Sequence, residues 1–406
     1  MDQEETPSST AAPAAAPMRA SQLCFEPPGR VVMIGAGQLA RMTHQAAIDY
    51  GLDFHVLAGA PDEPAAAAGA PFTLGDHASF DDLLRAAGHG DVVTFDHELI
   101  PQDLLRRLEA AGHRVRPGAE TLAFAQDKLH SRRQLAALES PRVPLPAFTA
   151  VRRLADVDAF AAEHGWPLVL KARGGGYDGR GVHLLASRRD AEALLGDTDG
   201  SAEPSWVLEE HLDLAAELAV LLARRPSGEL ATYPPIETHQ ENGMCHELVM
   251  PARLPAAVAS EAVRLAEAIA VHIGTTGLCA VELFWTTDGR LLLNELALRP
   301  HNSGHATIEG CATSQFHQHL RAVLDWPLGS TALVRPAAMV NLVGGAGPSE
   351  LASRLPRALA VPGAHVHLYG KAPRPGRKLG HVTALGPDVD EALDAARAAA
   401  SLLSAP

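Results

Sequence analysis

Residues 279–298, CAVELFWTTDGRLLLNELAL, leave the chain little conformational choice. Two apolar runs flank Asp288-Gly289, a dipeptide suited to the positive-φ turn of a tight hairpin. Side chains alternate along a strand, so the turn also fixes which residues meet across the ladder. Glu282 and Glu295 then fall near the same level and their side chains converge. Their neighbours, AVELF and LLLNEL, are apolar, which argues against a solvated face. Two carboxylates on one buried face repel unless a cation lies between them. An oxygen-only donor pair suits magnesium, which is held by one or two carboxylates plus substrate phosphates. Asn294 sits beside the pair, and the strand runs out into Arg299, His301, Asn302 and His305, punctuated by Pro300 and Gly304.

The rest of the composition narrows the function. A length of 406 residues with 47% hydrophobic content gives two or three globular domains. A net charge of -14 argues against a nucleic-acid partner, which calls for a basic surface. The four cysteines, 24, 245, 279 and 311, are too far apart for a zinc ribbon or a CxxC pair. They read as reduced thiols of a cytoplasmic protein. No apolar run reaches the ~18 residues of a membrane span, so no membrane partner is expected. Residues 1–28 are rich in Ala, Pro and Ser and start acidic, which predicts a disordered leader rather than a secretory signal, with Met18 as an alternative start.

Lysine makes up only 4 of the 34 basic residues, at positions 128, 171, 371 and 378. Lysines that survive such a bias mark places where a compact ammonium is needed in preference to a planar fork. Lys128 starts a helix. Lys171 lies on the strand WPLVLKA, just before Gly174-Gly175-Gly176-Tyr177-Asp178-Gly179-Arg180-Gly181. Five glycines in eight residues let backbone amides approach an anion. No Lys-Ser/Thr pair follows them, so this is not a Walker A loop. A hairpin lid over phosphates, with Lys171 beneath it, fits the order. Lys371 and Lys378 share a loop with Arg374 and Arg377, a concentrated positive site suited to a phosphate-bearing substrate.

Strand–helix alternation at VVMI, FHVL and DVVTF predicts an N-terminal parallel α/β unit. Its Gly35-x-Gly37-x-x-Ala40 fits a dinucleotide fingerprint, but the second strand ends in Ala58-Gly59-Ala60 without the acid that NAD ribose requires. The turn therefore serves chain geometry, or an anion at the helix N-terminus. The divisions expected are a leader over 1–28, an N-terminal α/β domain over 29–125, a lid domain over 126–207, a catalytic domain over 208–330 and its C-terminal part, with the phosphate loop, over 331–406. The class is α/β, turning α+β in the middle, and no internal repeat is apparent.

Two spaced lysines, a glycine-rich lid, the strand-end EEHL and a Glu…Asn-Glu hairpin resemble the ATP-grasp superfamily. Within it, GAGQLARM, FDHELIP, GGYDGRG, RPHNSGH, TIEGCATSQFHQHLRAVL and YGKAPRPGRKLGH resemble the N5-carboxyaminoimidazole ribonucleotide synthases, over about residues 30 to 385. The resemblance implies an ATP-grasp fold with a biotin carboxylase-like N-terminal domain. It implies a ligase of purine synthesis that uses ATP and bicarbonate, through carboxyphosphate, to carboxylate 5-aminoimidazole ribonucleotide. It also implies a homodimer. Glu282 and Glu295 would hold magnesium, or manganese in its place. Lys128, Lys171, Asn294 and Glu295 would meet the ATP phosphates under Gly176, Tyr177, Asp178, Gly179, Arg180, Gly181 and Val182. Glu209, Glu210, His211 and Leu212 would meet adenine, Glu217 the ribose, and Gln240 the nucleotide. Tyr177, Asp178, Arg180, His301 and Asn302 would meet the ribonucleotide, and Lys371, Arg377 and Lys378 its phosphate. Arg299, His301 and Asn302 would line the reaction chamber, where His301 either moves a proton or positions by hydrogen bonding.

Three positions depart from the family pattern: Gln240 stands at a usual histidine, Ala306 at a usual tryptophan, and Gly174 at a usually bulkier residue. Rival readings are another ATP-grasp ligase, an NAD oxidoreductase and a nucleotide sensor without chemistry. Ala297, where biotin carboxylase-like proteins favour Asn, the missing strand-two acid and the intact Glu282, Glu295, Lys128 and Lys171 count against them in turn.

Overall fold

A computed structural model describes residues 29–175, 179–196, 203–241, 243–345 and 350–404. The N-terminal strands are β1 (Arg30–Ile34), β2 (Asp53–Ala58), β3 (Phe72–Leu74) and β4 (Val92–Phe95). They form a parallel sheet in the order β3-β2-β1-β4. β1 from Val31 onward and all of β4 are buried, as expected for parallel strands covered on both faces.

The glycine turn after β1 receives a side chain. The Asp96 carboxylate accepts the Gly37 N–H at 2.6 Å. A Cβ on Gly35 would lie 1.9 Å from Asp96 Oδ1, at a φ of +101° that disfavours one in any case. The glycines are therefore a consequence of where FDHELIP delivers its first acid.

A small antiparallel sheet follows, built from β5 (Phe148–Val151), β6 (Leu168–Ala172), β7 (Val182–Leu185) and β8 (Trp206–Glu210) in the order β5-β8-β6-β7. It has a core of its own around Val157, Phe160, Leu168, Leu170 and Leu208.

The largest sheet is antiparallel throughout. Its strands are β9 (Leu214–Arg224), β10 (Leu230–Thr232), β11 (Ile236–Glu241), β12 (Met244–Met250), β13 (Gly277–Thr286), β14 (Leu291–Ala297), β15 (Ala337–Val343), β16 (Ala364–Leu368) and β17 (Lys378–Leu385). The order is β14-β13-β9-β11-β12-β15-β17-β16, with β10 on β9. The C-terminal strands thus extend the sheet that carries the acidic hairpin. The alanine-rich helix Val389–Ser404 lies against them through Ala392, Ala396, Ala399 and Ala400, small side chains that permit close approach.

The parallel and large sheets share cores. Val32, Ile34 and Phe95 pack with Val220, Val281 and Leu293. On the other face, Val31 and Met33 meet Phe316, Leu320 and Val323 of the helix Gln315–Val323. That helix is a keystone between the sheets. Its His319 joins Thr94 Oγ1 on β4 at 2.9 Å and accepts the Leu278 N–H of β13 at 3.1 Å.

One expectation is corrected. Lys378 does not share the loop with Lys371: it opens β17, is 7% exposed, and pairs with Val343 of β15 beside a bulge at Leu379 of β17. The ladder hydrogen bonds of GRKLGH continue one residue further than its charge pattern suggests.

Candidate active site

The hairpin forms around the expected turn, with Gly289 at φ +85° and the Thr286 N–H donating to the Arg290 carbonyl. Glu282 and Glu295 are direct cross-strand partners beside a bulge at Asn294 of β14, the extra residue between Leu293 and Glu295. Lys128 Nζ pairs with Glu295 Oε2. On the far side His301 Nε2 lies 3.4 Å from Glu282 Oε1, and the Asn294 amide donates to Glu282 Oε2 at 3.4 Å. Burial, with the Glu295 and Glu217 carboxylates nearby, pushes Glu282 up to about 8. Burial pushes Glu295 the same way, but the Lys128 ammonium overcomes it and holds the carboxyl below its ordinary range. The Glu282 carboxyl is thus short of positive charge, a deficit that a cation would relieve. Among the described residues there is no cluster of three or more His, Cys, Asp or Glu able to hold a metal alone. Two converging carboxylates are what magnesium asks of a protein when substrate phosphates and water supply its other ligands, so the residues fit that ion.

Behind the hairpin lies an ionic cluster that pattern reading missed. Arg132, four residues after Lys128 on the helix Lys128–Ala136, is buried and binds Glu209 Oε1 at 2.9 Å and the Asn294 carbonyl at 2.6 Å. Lys171 Nζ takes Glu209 Oε2 at 2.7 Å and Asn294 Oδ1 at 3.0 Å. Burial alone would raise Glu209, yet the two cations hold it down at about 2. Burial lowers Lys171, against the pull of Glu209. The Glu209 side chain is therefore an internal counter-ion, leaving only its backbone to face a ligand. The spacing of Arg132 from Lys128 was the available signal, since i and i+4 share a helix face.

The glycine-rich segment starts against this cluster. Val182 pairs with Lys171, and the Ala172 N–H donates to the Gly181 carbonyl at 2.7 Å. The Lys128 N–H donates to the Arg173 carbonyl at 2.8 Å, tying both lysine-bearing elements together. Gly179 is half-buried and Arg180 exposed, while Gly176, Tyr177 and Asp178 lie outside the described residues. Glu210 accepts from the Ala147 N–H and from Arg290. His211 is exposed and Leu212 half-buried in the turn between β8 and β9. Glu217 lies on β9 between Phe284 and Thr238, its carboxyl raised by burial. Gln240 lies half-buried on β11, opposite Cys245 and just past a bulge at His246 of β12.

The loop after β14 is fastened from three directions. Arg299 Nε donates to Glu98 Oε2 at 2.6 Å, and Glu98 Oε1 accepts the Leu298 N–H at 3.1 Å. His301 Nδ1 meets Ser303 Oγ at 2.8 Å. Asn302 and Asn341 of β15 exchange side-chain amide bonds at 3.1 and 2.8 Å. Lys371 reaches Gln38 Oε1 at the first helical position after the glycine turn. The half-buried Arg377 donates to the Ala372 carbonyl at 3.1 Å. The Lys378 charge acts on Glu282 and on buried His305. Glu98, Gln38 and Asn341 were not singled out from sequence, because each finds its partner far along the chain.

Residues 29–126 match the ribonucleotide synthetase preATP-grasp domain, 136–316 the ATP-grasp domain, and 337–395 the phosphoribosylaminoimidazole carboxylase C-terminal domain. The N5-carboxyaminoimidazole ribonucleotide synthase of Mycobacterium tuberculosis is 47% identical over 381 residues, covering 92% of this chain and 87% of its own. The chain belongs to the N5-carboxyaminoimidazole ribonucleotide synthase family. The synthase of Corynebacterium ammoniagenes is 42% identical over 92% of this chain and 91% of its own. The Aspergillus clavatus N5-carboxyaminoimidazole synthase, crystallised with ADP and 5-aminoimidazole ribonucleotide, superposes with a TM-score of 0.84 at 30% identity, over 93% of this chain and 99% of that one. The protein is accordingly an ATP-grasp ligase of the N5-carboxyaminoimidazole ribonucleotide synthase family. No described helix is long and apolar enough to cross a membrane.

Proposed function

We propose that the site carries out the synthase reaction of its family in purine biosynthesis: ATP-dependent carboxylation of 5-aminoimidazole ribonucleotide, with bicarbonate as the carboxyl source. A bicarbonate oxygen attacks the γ-phosphorus of ATP, releasing ADP and giving carboxyphosphate. The exocyclic amine of the ribonucleotide attacks the carboxyl carbon, expels phosphate and loses a proton. Magnesium, or manganese in its place, would be held by Glu282 and Glu295 and supplies neutralisation of phosphate charge. Phosphoryl transfer between anions needs positioning and charge balance more than a protein nucleophile. Lys128 and Lys171 supply positive charge next to those carboxylates, and the backbone of the glycine-rich segment covers the phosphates. The Glu209–Leu212 backbone, Glu217 and Gln240 face the nucleoside. Arg299 and Asn302 orient the bicarbonate and the amine, and His301, beside Glu282, holds or moves a proton there. Arg180, with Tyr177 and Asp178, meets the ribonucleotide, and Lys371, Arg377 and Lys378 bind its 5′-phosphate. The supporting observation is the pairing of Glu282 and Glu295 with Lys128 on one side and His301 on the other.

The test is ADP release with magnesium, ATP and bicarbonate, with and without the ribonucleotide. Strong stimulation supports the reading, and none, with ATP still bound, overturns it. The family resemblance extends the proposal to a cytoplasmic homodimer, which light scattering would reveal as twice the mass of the chain.

A further inference from the structure

We infer that Gln315 is a positioning residue for the reaction loop: its buried amide clamps both polar groups of the His301 backbone and so sets where His301 and Asn302 stand. The inference rests on the proposed role of that loop. Gln315 is 0% exposed at the start of the helix Gln315–Val323. Its Oε1 accepts the His301 N–H at 2.8 Å, and its Nε2 donates to the His301 carbonyl at 2.8 Å. A peptide N–H can only donate and a carbonyl only accept, so one orientation of the amide satisfies both. The second Nε2 proton is directed at His305 Nδ1, 3.0 Å away. Every polar function of the side chain is thus spent on residues 301 and 305, the two ends of HNSGH.

The surroundings are built to permit this. A Cβ on Gly304 would lie 2.4 Å from Gln315 Oε1 and 2.3 Å from Leu221 Cδ2, so the loop passes over the amide only as glycine. Thr307 Oγ1 donates to the Gly304 carbonyl at 2.6 Å and accepts the Gln315 N–H at 2.9 Å. The helix behind Gln315 is immobilised by Phe316, Leu320 and Val323 in the shared core. His305 stacks on Phe316 and, at 4.8 Å, on His381 of β17, the strand that Lys378 opens. Gln315 therefore fixes the reaction loop to the same frame that carries the phosphate-binding lysine. Glutamine is the only residue of its size that offers an acceptor and two donors in one plane.

The test compares Q315E, which keeps the shape and loses both donors, with Q315M, G304A and H301A, all by ADP release with ATP varied at saturating bicarbonate and ribonucleotide. In folded Q315E and Q315M, kcat should fall roughly 100-fold, while the KM for ATP stays within about two-fold, because a misplacement near 1 Å weakens the transition state and leaves the nucleotide contacts alone. G304A keeps Gln315 but displaces its oxygen, and should show the same split even if the Gln315 variants do not fold. A wild-type kcat in folded Q315E or in G304A overturns the inference. So does a kcat loss that merely tracks a lowered melting midpoint and a raised KM for ATP. If H301A retains wild-type turnover, the role of the loop fails, and the clamp with it. Loss of turnover in H301A alone overturns only the clamp.

Discussion

Lowering the pH should loosen the joint between the parallel and large sheets through one side chain, His319. The ring is 0% exposed. Its Nδ1 accepts the Leu278 N–H and its Nε2 faces Thr94 Oγ1, so the neutral form with its proton on Nε2 fits. Burial takes the imidazole down to about 3 in the folded protein, against about 6.5 when unfolded. The folded value is the lower one, so below about 6.5 the unfolded chain binds the extra proton and acid favours unfolding. This contribution is intact above about pH 6.5 and is lost progressively as the pH falls towards 3. From pH 7 to pH 5 the change is close to 1.5 pH units of proton affinity, or about 2 kcal/mol. In H319Q, urea unfolding followed by tryptophan fluorescence at pH 8 should show a static cost of about 1–3 kcal/mol for the disturbed buried bonds. The gap between the variant and wild type should then narrow by about 2 kcal/mol at pH 5. The other buried histidines are common to both proteins and cancel. A gap that stays constant from pH 8 to pH 5 would refute the reasoning.

Glu295→Gln should reduce ADP release by at least about 100-fold with little change in melting midpoint, and near-normal turnover would remove Glu295 from the metal assignment. Lys378→Ala should raise the KM for the ribonucleotide about 10-fold or more while that for ATP moves less than about two-fold, as steady-state kinetics would show; the reverse pattern would place the substrate phosphate elsewhere. Arg132→Met strips Glu209 of one of its two cations and the Asn294 carbonyl of its donor, and should cost about 3–5 kcal/mol in urea unfolding. A loss under about 1 kcal/mol would mean that Lys171 alone satisfies that carboxylate.

What the sequence disclosed follows from the range over which each signal acts. The Glu282–Glu295 pairing was legible to within a residue because an Asp-Gly turn converts sequence distance into register, and a bulge at Asn294 supplies the last step. Lys128 and Lys171 stood out because lysine is scarce elsewhere. Arg132 was hidden among 30 arginines, and its partners Glu209 and Asn294 lie on other sheets. The glycine turn looked like half of a dinucleotide site because its true occupant, Asp96, arrives 59 residues later. Glu98, Gln315 and Asn341 carry no periodic or compositional mark. The roles of Glu98 and Asn341 exist only once the sheets have brought distant loops together, and that of Gln315 only once the chain has doubled back on itself after the HNSGH loop.

The cores set how the molecule can move. The parallel and large sheets are fused through the Gln315–Val323 helix, so displacing one from the other would open apolar surface on both. The small sheet has its hydrophobic contents to itself. Moving it exposes none of the main core, and what resists the movement is ionic instead: a swing has to part Lys171 from Asn294, a bond between the two sheets. Rigid-body motion of the small sheet would therefore draw on polar bonds rather than on apolar burial, while the fused sheets that carry the acidic hairpin stay still.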